Sequence, residues 1–233
     1  MTGKLYGVGV GPGDPELMTL KAVKVLKRVS VLCAPDSGRE SRALEVVRRA
    51  VKREFRLLRP HFPMTKKREV LEKAWQRASE AIYRELRKGE DVAFVTIGDP
   101  TFYSTFTYVM ERIKSAHPEV EIEVVPGVTS VTACAANLGI PLVSGGESLA
   151  VVPAAYGTDN LELLARNFDT VVLMKVSRSF DSILERLRQT GLDKRAVFAA
   201  KCGTPAFTSG EPQSLRGRKV DYLSMILLRR LRG

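Results

Sequence analysis

The chain is poor in the residues that build metal and redox sites. Its 233 residues include only three Cys, two His and one Trp. Cys33, Cys134 and Cys202 are far apart, without Cys-x-x-Cys spacing or a nearby His, so we expect buried free thiols and no structural metal. No run of about 18 apolar residues occurs, and residues 1–10 lack the charged-then-apolar order of a secretory signal. The sequence therefore predicts a cytoplasmic protein with no membrane partner.

Positive charge, by contrast, is abundant. Lys and Arg number 37 against 26 Asp and Glu, which gives a net charge of +11. A basic surface attracts polyanions, and nucleic acid is the first such partner to consider. However, the basic residues are spread along the chain among Glu residues, and no helix-turn-helix, zinc-finger or aromatic RNA-binding pattern is present. We therefore expect no nucleic-acid partner, while an acidic small molecule or a merely solvated basic surface would each explain the charge.

Strand-like and helix-like segments alternate along the chain, which is typical of an α/β protein. With 44% hydrophobic residues, the sequence has ample material for a packed core. The predicted strands are residues 4–10, 30–34, 55–58, 91–97, 121–125, 149–152, 170–174, 196–200 and 222–228, and the predicted helices are 19–29, 41–51, 66–88, 105–115, 131–137, 160–167 and 180–190. On the longest helix, Glu69 and Lys73 are spaced to pair on the outer face. A Pro-containing loop at 116–119 predicts two tandem lobes, 1–117 and 118–233.

Gly98-Asp99-Pro100 follows the most strand-like run of the sequence, residues 91–97. This run lacks polar alternation, so it fits a strand buried on both faces of a parallel sheet. Such sheets bind ligands beyond the carboxyl ends of their strands. A glycine, a carboxylate and a stiffening proline there indicate the rim of a small-molecule site. The alternative is a tight turn in which Asp99 only caps the next helix.

A second glycine-rich loop, residues 7–15, connects the first predicted strand to the first helix. The dinucleotide-binding pattern Gly-x-Gly-x-x-Gly fails here, because Pro12 or Asp14 takes the place of its last glycine. A Walker loop fails as well, since no Gly-Lys-Ser/Thr follows. This loop either packs against another part of a ligand site or is a tight turn.

Taken together, the loops at 7–15, 98–103 and 126–130 resemble those of the tetrapyrrole (class III) methyltransferases, in which two α/β lobes bind S-adenosylmethionine between them. Four segments look like the members that methylate ring carbon 20 of precorrin-2 or cobalt-factor II: residues 37–40, 62–66, 98–106 and 149–154. The continuation Tyr103-Ser104-Thr105-Phe106 is the most discriminating of these. The resemblance implies methyl transfer to that carbon in cobalamin biosynthesis. The alternatives are a methyltransferase of the same fold acting on another precorrin carbon or on diphthamide, or a basic nucleic-acid-binding protein.

The resemblance also implies a set of cofactor contacts, with Phe102 expected at the start of a helix and Lys175 after a strand end. The residues are Pro12, Gly98, Asp99, Phe102, Thr129, Ser130, Lys175, Gly203 and Thr204. It further implies a polycarboxylate tetrapyrrole substrate and a homodimer. In-line methyl transfer requires no nucleophile and no metal of the protein, and no residue declares itself as the base that removes the ring proton. Arg39, Arg42, Lys66 and Lys67 are candidate donors to substrate carboxylates, although solvated surface is the better explanation of any one of them.

Overall fold

The computed structural model describes residues 2–36, 41–63, 65, 67–154 and 160–230. The strands among these residues are Leu5–Gly9 (β1), Val31–Cys33 (β2), Arg56–Leu58 (β3), Val92–Thr96 (β4), Ile122–Val125 (β5), Leu149–Pro153 (β6), Thr170–Met174 (β7), Ala196–Ala200 (β8), Thr208–Gly210 (β9) and Ser224–Arg229 (β10). The α-helices in the same ranges are Leu20–Arg28 (α1), Arg42–Ala50 (α2), Arg68–Leu86 (α3), Phe106–Ala116 (α4), Ser130–Leu138 (α5), Leu161–Asn167 (α6) and Phe180–Gln189 (α7). The segment 37–40, Met64 and Lys66 lie outside the described residues, and so does the candidate donor Arg39.

The chain forms two compact units, Met1–Thr129 and Ser130–Gly233, each with its own five-stranded sheet. In the first unit the strand order is β3-β2-β4-β1-β5, and every pair is parallel. One face packs against α1 and α2 around Leu26 and Leu44, and the other packs against α3 and α4 around Phe94 and Phe106. The α/β class with two lobes is thus confirmed.

Local chemistry explains where the first helices begin and why the central strands are apolar. The Oγ1 atom of Thr19 accepts a hydrogen bond from the Ala22 backbone N–H at 3.1 Å, which caps α1 as the sequence predicts. All five residues of β1 and the first four of β4 are buried, because both faces of these strands lie under helices. Each predicted helix is present, with ends that differ by at most two residues.

The boundary between the units differs from the one predicted at 117/118. Strand β5, which that boundary would place in the C-terminal lobe, pairs in parallel with β1 and is an edge strand of the first sheet. The Pro-containing loop before β5 is therefore a connection within the first unit. A pairing of this kind depends on a partner more than a hundred residues away, with Leu5 opposite Ile122.

The second unit contains a mixed sheet in the order β6-β7-β10-β8-β9. Strands β6 and β7 are parallel, whereas β10 is antiparallel to both β7 and β8. Its core contains Leu173, Ile183, Leu187 and Ile226. Strand β9 was not predicted, because its three residues Thr208–Gly210 are all exposed and carry no apolar signal.

The cysteine prediction is wrong for two of the three residues. Cys134 on α5 and Cys202 after β8 form a disulfide, with their Cα atoms 4.8 Å apart. Only Cys33 is a free, buried thiol, and burial raises its pKa well above the ordinary value. Among the described residues, no group of three or more His, Cys, Asp or Glu has the geometry of a metal site. In the same part of the chain, no helix has the length and hydrophobicity needed to cross a membrane.

Candidate functional site

Three loops of the first unit follow the carboxyl ends of neighbouring strands. They are residues 10–14 after β1, 97–105 after β4 and 126–129 after β5. Because β4, β1 and β5 are adjacent and parallel, their carboxyl ends lie at one edge of the sheet. This is the edge where open α/β sheets bind ligands.

The first two loops are joined through their backbones. Gly11 and Gly98 form an isolated antiparallel bridge, in which Gly98 N donates to Gly11 O at 2.7 Å and Gly11 N donates to Gly98 O at 3.3 Å. Pro12 follows immediately and is buried. The glycine-rich loop is thus a backbone partner of the central loop, which agrees with the first of the two alternatives, packing against another part of the candidate site.

Glycine is required at two positions of this junction for different reasons. A Cβ atom on Gly127 would lie 2.2 Å from the Gly98 carbonyl oxygen, so a side chain there would push the second and third loops apart. Gly98 has a φ of +76°, a conformation that glycine adopts without a steric penalty. A Cβ atom on Gly98 would have no heavy atom within 4 Å beyond its chain neighbours. The space in front of Gly98 is therefore open, and a ligand can approach the backbone there.

The Asp99 carboxylate ties the second loop to the third. Its Oδ1 atom accepts hydrogen bonds from the Thr101 backbone N–H at 2.8 Å and from the Thr101 hydroxyl at 2.6 Å. Its Oδ2 atom accepts a hydrogen bond from the Gly127 backbone N–H at 2.9 Å. Partial burial would raise the pKa of Asp99, but these hydrogen bonds outweigh it and leave the pKa below the ordinary value of 3.8. Asp99 is therefore a charged bridge between loops and does more than cap a helix.

The segment after Pro100 differs from the prediction in one respect. Phe102 does not begin a helix, because it lies in a turn in which its N–H donates to the Asp99 carbonyl oxygen, and α4 begins only at Phe106. The rings of Phe102 and Tyr103 meet edge to face at 4.9 Å. Tyr103 has a φ of +52°, and its side chain is 44% exposed. A non-glycine residue held in this costly conformation next to an open site is a frequent sign of function.

Ser104, from the discriminating segment, has a structural role. It is buried, its hydroxyl donates to the Thr96 hydroxyl at 3.1 Å, and the same oxygen accepts from the Phe106 N–H at 3.2 Å. These bonds join the end of β4 to the start of α4. Ser104 therefore fixes the turn that displays Phe102 and Tyr103.

The second unit contains the remaining predicted contacts. Ser130 is the first residue of α5, and the partly buried Thr129 precedes it at the end of the first unit. Lys175 follows β7 with a φ of +58°, and burial lowers the pKa of its ammonium group below the ordinary value of 10.5. The turn that holds Gly203 and Thr204 follows β8.

The turn after β8 is held to helix α5 in two ways. One is the Cys134–Cys202 disulfide, and the other is the Asn137 side-chain oxygen, which accepts from the Gly203 N–H at 2.7 Å. The Thr204 hydroxyl in turn donates to the Lys201 carbonyl oxygen at 2.8 Å. Strands β7 and β8 flank β10 and end at the same edge, so Lys175 and this turn are two strand spacings apart, about 10 Å.

Within each unit, the predicted contacts therefore gather at one edge of one sheet. In the first unit these are Pro12, Gly98, Asp99 and Phe102 with Thr129, and in the second they are Lys175, Gly203 and Thr204. Ser130 lies apart from them in the described contacts, at the start of α5. Sequence reasoning missed Gly127 and Thr101 as members of the site. Gly127 stood in a segment already singled out, but only its 2.2 Å approach to Gly98 reveals its role.

Comparison with known proteins gives the family of this chain. Residues 4–211 match the family described as Tetrapyrrole (Corrin/Porphyrin) Methylases, which is most of the chain. The chain belongs to this family. Solved structures resemble this tetrapyrrole methylase over nearly its whole length. One of them, a uroporphyrin-III C-methyltransferase from Thermus thermophilus complexed with S-adenosylhomocysteine, is 24% identical, covers 97% of this chain and 92% of its own, and has a TM-score of 0.70.

Two curated relatives of this tetrapyrrole methylase share the same ring position in their names. A protein of Methanocaldococcus jannaschii named "Probable cobalt-precorrin-2 C(20)-methyltransferase" is 47% identical over 154 residues, which is 64% of each chain. A "Precorrin-2 C(20)-methyltransferase" of a Sinorhizobium species is 35% identical over 160 residues, which is 65% of this chain and 64% of that protein. The matched region thus spans about two thirds of these relatives.

Proposed function

We propose that this tetrapyrrole methylase transfers the methyl group of S-adenosylmethionine to ring carbon 20 of precorrin-2 or of its cobalt form. The observation that carries the proposal is the 47% identity to a relative named for that reaction. The segment Gly98 to Phe106, which resembles the carbon-20 enzymes, supports it further. The relatives include one named for the cobalt form and one for the metal-free form, so the proposal keeps both substrates.

The loops of the first unit fit a cofactor of this kind. Gly98 presents backbone to open space, and the bridge to Gly11 and the bond from Gly127 to Asp99 hold that backbone in place. Bound S-adenosylmethionine would supply a methyl group on a positively charged sulfur, ready for in-line transfer to a ring carbon. The chain itself then has to orient the reactants and exclude water, and loops that are hydrogen-bonded to one another suit the first task. Pro12, Phe102 and Thr129 are proposed to contact the cofactor along with Gly98 and Asp99.

The contacts of the second unit are part of the same proposal. Ser130, Lys175, Gly203 and Thr204 are proposed to contact the cofactor as well, as the resemblance implies, with Lys175 offering a cation to a carboxylate. Two residues of that unit, Asn137 and Cys202, would act through the turn that they hold. The homodimer that the resemblance implies and the cytoplasmic location that the sequence predicts both stay predictions.

Methyl transfer with a defined substrate tests the proposal. The purified protein is incubated with S-adenosylmethionine and precorrin-2, or its cobalt form, and the molecular mass of the product is measured by mass spectrometry. We expect the mass of one added methyl group and an equal amount of S-adenosylhomocysteine. Transfer only to a different tetrapyrrole, or only to a diphthamide precursor, would contradict the proposed substrate while leaving the family unchanged.

A further inference from the structure

A cleft of about 520 Å³ lies in the first unit between edge strand β3 and helix α3. It is lined by Leu57, Leu58, Arg59, Pro60, His61, Pro63, Val70, Lys73, Ala74, Arg77, Ala78 and Ala81. Apolar side chains form most of this lining. The cleft contains none of the residues assigned above to the cofactor.

One face of α3 supplies half of the cleft. The helical residues of the lining recur three and four positions apart, so they form a single stripe. Within this stripe, alanines at 74, 78 and 81 keep the floor low, while Lys73 and Arg77 stand one turn apart. The cleft is thus an apolar groove with two basic side chains along one side.

Three cationic side chains of the cleft lack partners among the described residues, unlike other cations on or just after α3. Arg68 pairs with Glu72 and Lys88 pairs with Glu85, both at 2.9 Å. Arg59, Lys73 and Arg77 are exposed, and within the described part of the chain their side chains make no hydrogen bond or ion pair. The predicted pair between Glu69 and Lys73 does not form, and no Asp or Glu lines the cleft.

The position of the cleft relates it to the candidate site. Arg59, Pro60 and His61 follow the carboxyl end of β3, and all strands of this sheet are parallel. The strand order β3-β2-β4 separates the end of β3 from Gly98 by two strand spacings, about 10 Å. A macrocycle of four pyrrole rings with acidic arms spans such a gap.

We propose that this cleft is the subsite for the carboxylate arms of the tetrapyrrole. This proposal rests on the function proposed above. Arg59, Lys73 and Arg77 would pair with acetate and propionate groups at the rim. The alanine floor would receive the apolar edge of a pyrrole ring. These residues differ from the four donors expected from sequence: Arg42 and Lys67 do not line the cleft, and Arg39 and Lys66 lie outside the described residues.

Equilibrium binding of porphyrins tests the subsite without requiring methyl transfer. The probes are uroporphyrin, with an acetate and a propionate on every ring, and coproporphyrin, in which methyl groups replace the acetates. Absorbance titrations compare the parent with Lys73→Gln/Arg77→Gln. The matched control is Lys24→Gln/Lys114→Gln, which removes the same charge from exposed positions of α1 and α4. A third variant, Lys73→Arg/Arg77→Lys, keeps the charge of the cleft.

We expect the Lys73→Gln/Arg77→Gln variant to bind uroporphyrin about tenfold more weakly, with a shallower dependence on salt, because two exposed ion pairs are lost. The loss should be smaller with coproporphyrin, and the control and the charge-keeping variant should bind like the parent. Equal weakening in the control would reduce the effect to net charge and overturn the subsite. Unchanged binding in the Lys73→Gln/Arg77→Gln variant would also overturn the subsite. If the cleft variant weakens binding but the parent methylates no precorrin-2, the proposed function fails and the tetrapyrrole subsite stands.

Discussion

At the residue scale, Asp99 joins two loops through one carboxylate, and its replacement should reveal that role. Asp99→Ala removes three hydrogen bonds, from Thr101 and Gly127, to a partly exposed charged acceptor. We expect a loss of roughly 1 to 3 kcal/mol in the free energy of unfolding, together with weaker binding of S-adenosylhomocysteine as the loops separate. Urea unfolding and calorimetric titration measure the two effects.

The control for Asp99 is Asp193→Ala, whose carboxylate accepts no hydrogen bond from another described residue. The pH dependence is a second check. Because the pKa of Asp99 is lowered on folding, its stabilisation is complete above its unfolded value of 3.8 and disappears as the pH falls through the lower folded value. A variant that loses affinity at unchanged stability would show instead that Asp99 is dispensable to the loops and acts only through its contact with the ligand.

Gly98 offers a sharper test of the open space. Gly98→Ala places a methyl group where, beyond the two neighbouring residues of the chain, no heavy atom lies within 4 Å, at a φ of +76°. Gly191→Ala is its matched control, since Gly191 has a φ of +66° and equally open surroundings. Both substitutions should cost about 1 kcal/mol of stability through the backbone conformation. Only Gly98→Ala should weaken the binding of S-adenosylhomocysteine, by more than tenfold in calorimetry. Equal affinities of the two variants would remove Gly98 from the site.

Lys175 combines a left-handed backbone with a partly buried ammonium group, and both are costly. Since burial lowers its pKa on folding, the unfolded chain binds more protons just below pH 10.5, and stability rises with pH in that window. Lys175→Met should flatten this rise, whereas Lys194→Met, at an exposed position, should not. Urea unfolding at pH 8 and at pH 10 measures the difference, and identical slopes in the parent and Lys175→Met would contradict the burial.

At the scale of elements, the disulfide fixes the turn after β8 to α5. Its cysteines are 68 residues apart, so the closed loop should stabilise the folded chain by about 4 kcal/mol on the chain-entropy account. We expect the urea midpoint to fall on addition of a reductant. Thiol titration in denaturant should find one thiol, that of Cys33, before reduction and three afterwards. Three thiols before reduction would contradict the bond.

The same elements show what sequence can and cannot predict. The buried runs of β1 and β4 and the capped helix α1 were predicted, because their signals are local: apolar continuity, helical spacing and a Thr at the N-cap. The pairing of β5 with β1, the strand β9 and the Cys134–Cys202 bond were not. Each depends on residues brought together only by folding, and the long separation of the cysteines gave no spacing pattern to detect.

The candidate site divides in the same way. The loops after β1, β4 and β5 stood out through their glycines and Pro100, and the parallel order places them at one edge. The hydrogen bond from the Gly127 N–H to the Asp99 carboxylate could not be predicted from sequence, because the two residues are 28 positions apart and meet only in the folded chain. The place of Phe102 was missed because a turn held by Asp99 and Ser104 delays the helix to Phe106.

At the scale of the whole molecule, a net charge of +11 and an uncompensated basic cleft fit a polyanionic tetrapyrrole. The central claim is the ring carbon that receives the methyl group. The protein is incubated with precorrin-2, or its cobalt form, and S-adenosylmethionine labelled with ¹³C in the methyl group, and the product is assigned by NMR. We predict a single enriched methyl signal, coupled to ring carbon 20. An enriched methyl at carbon 11 or 17, or no incorporation into either substrate, would contradict it.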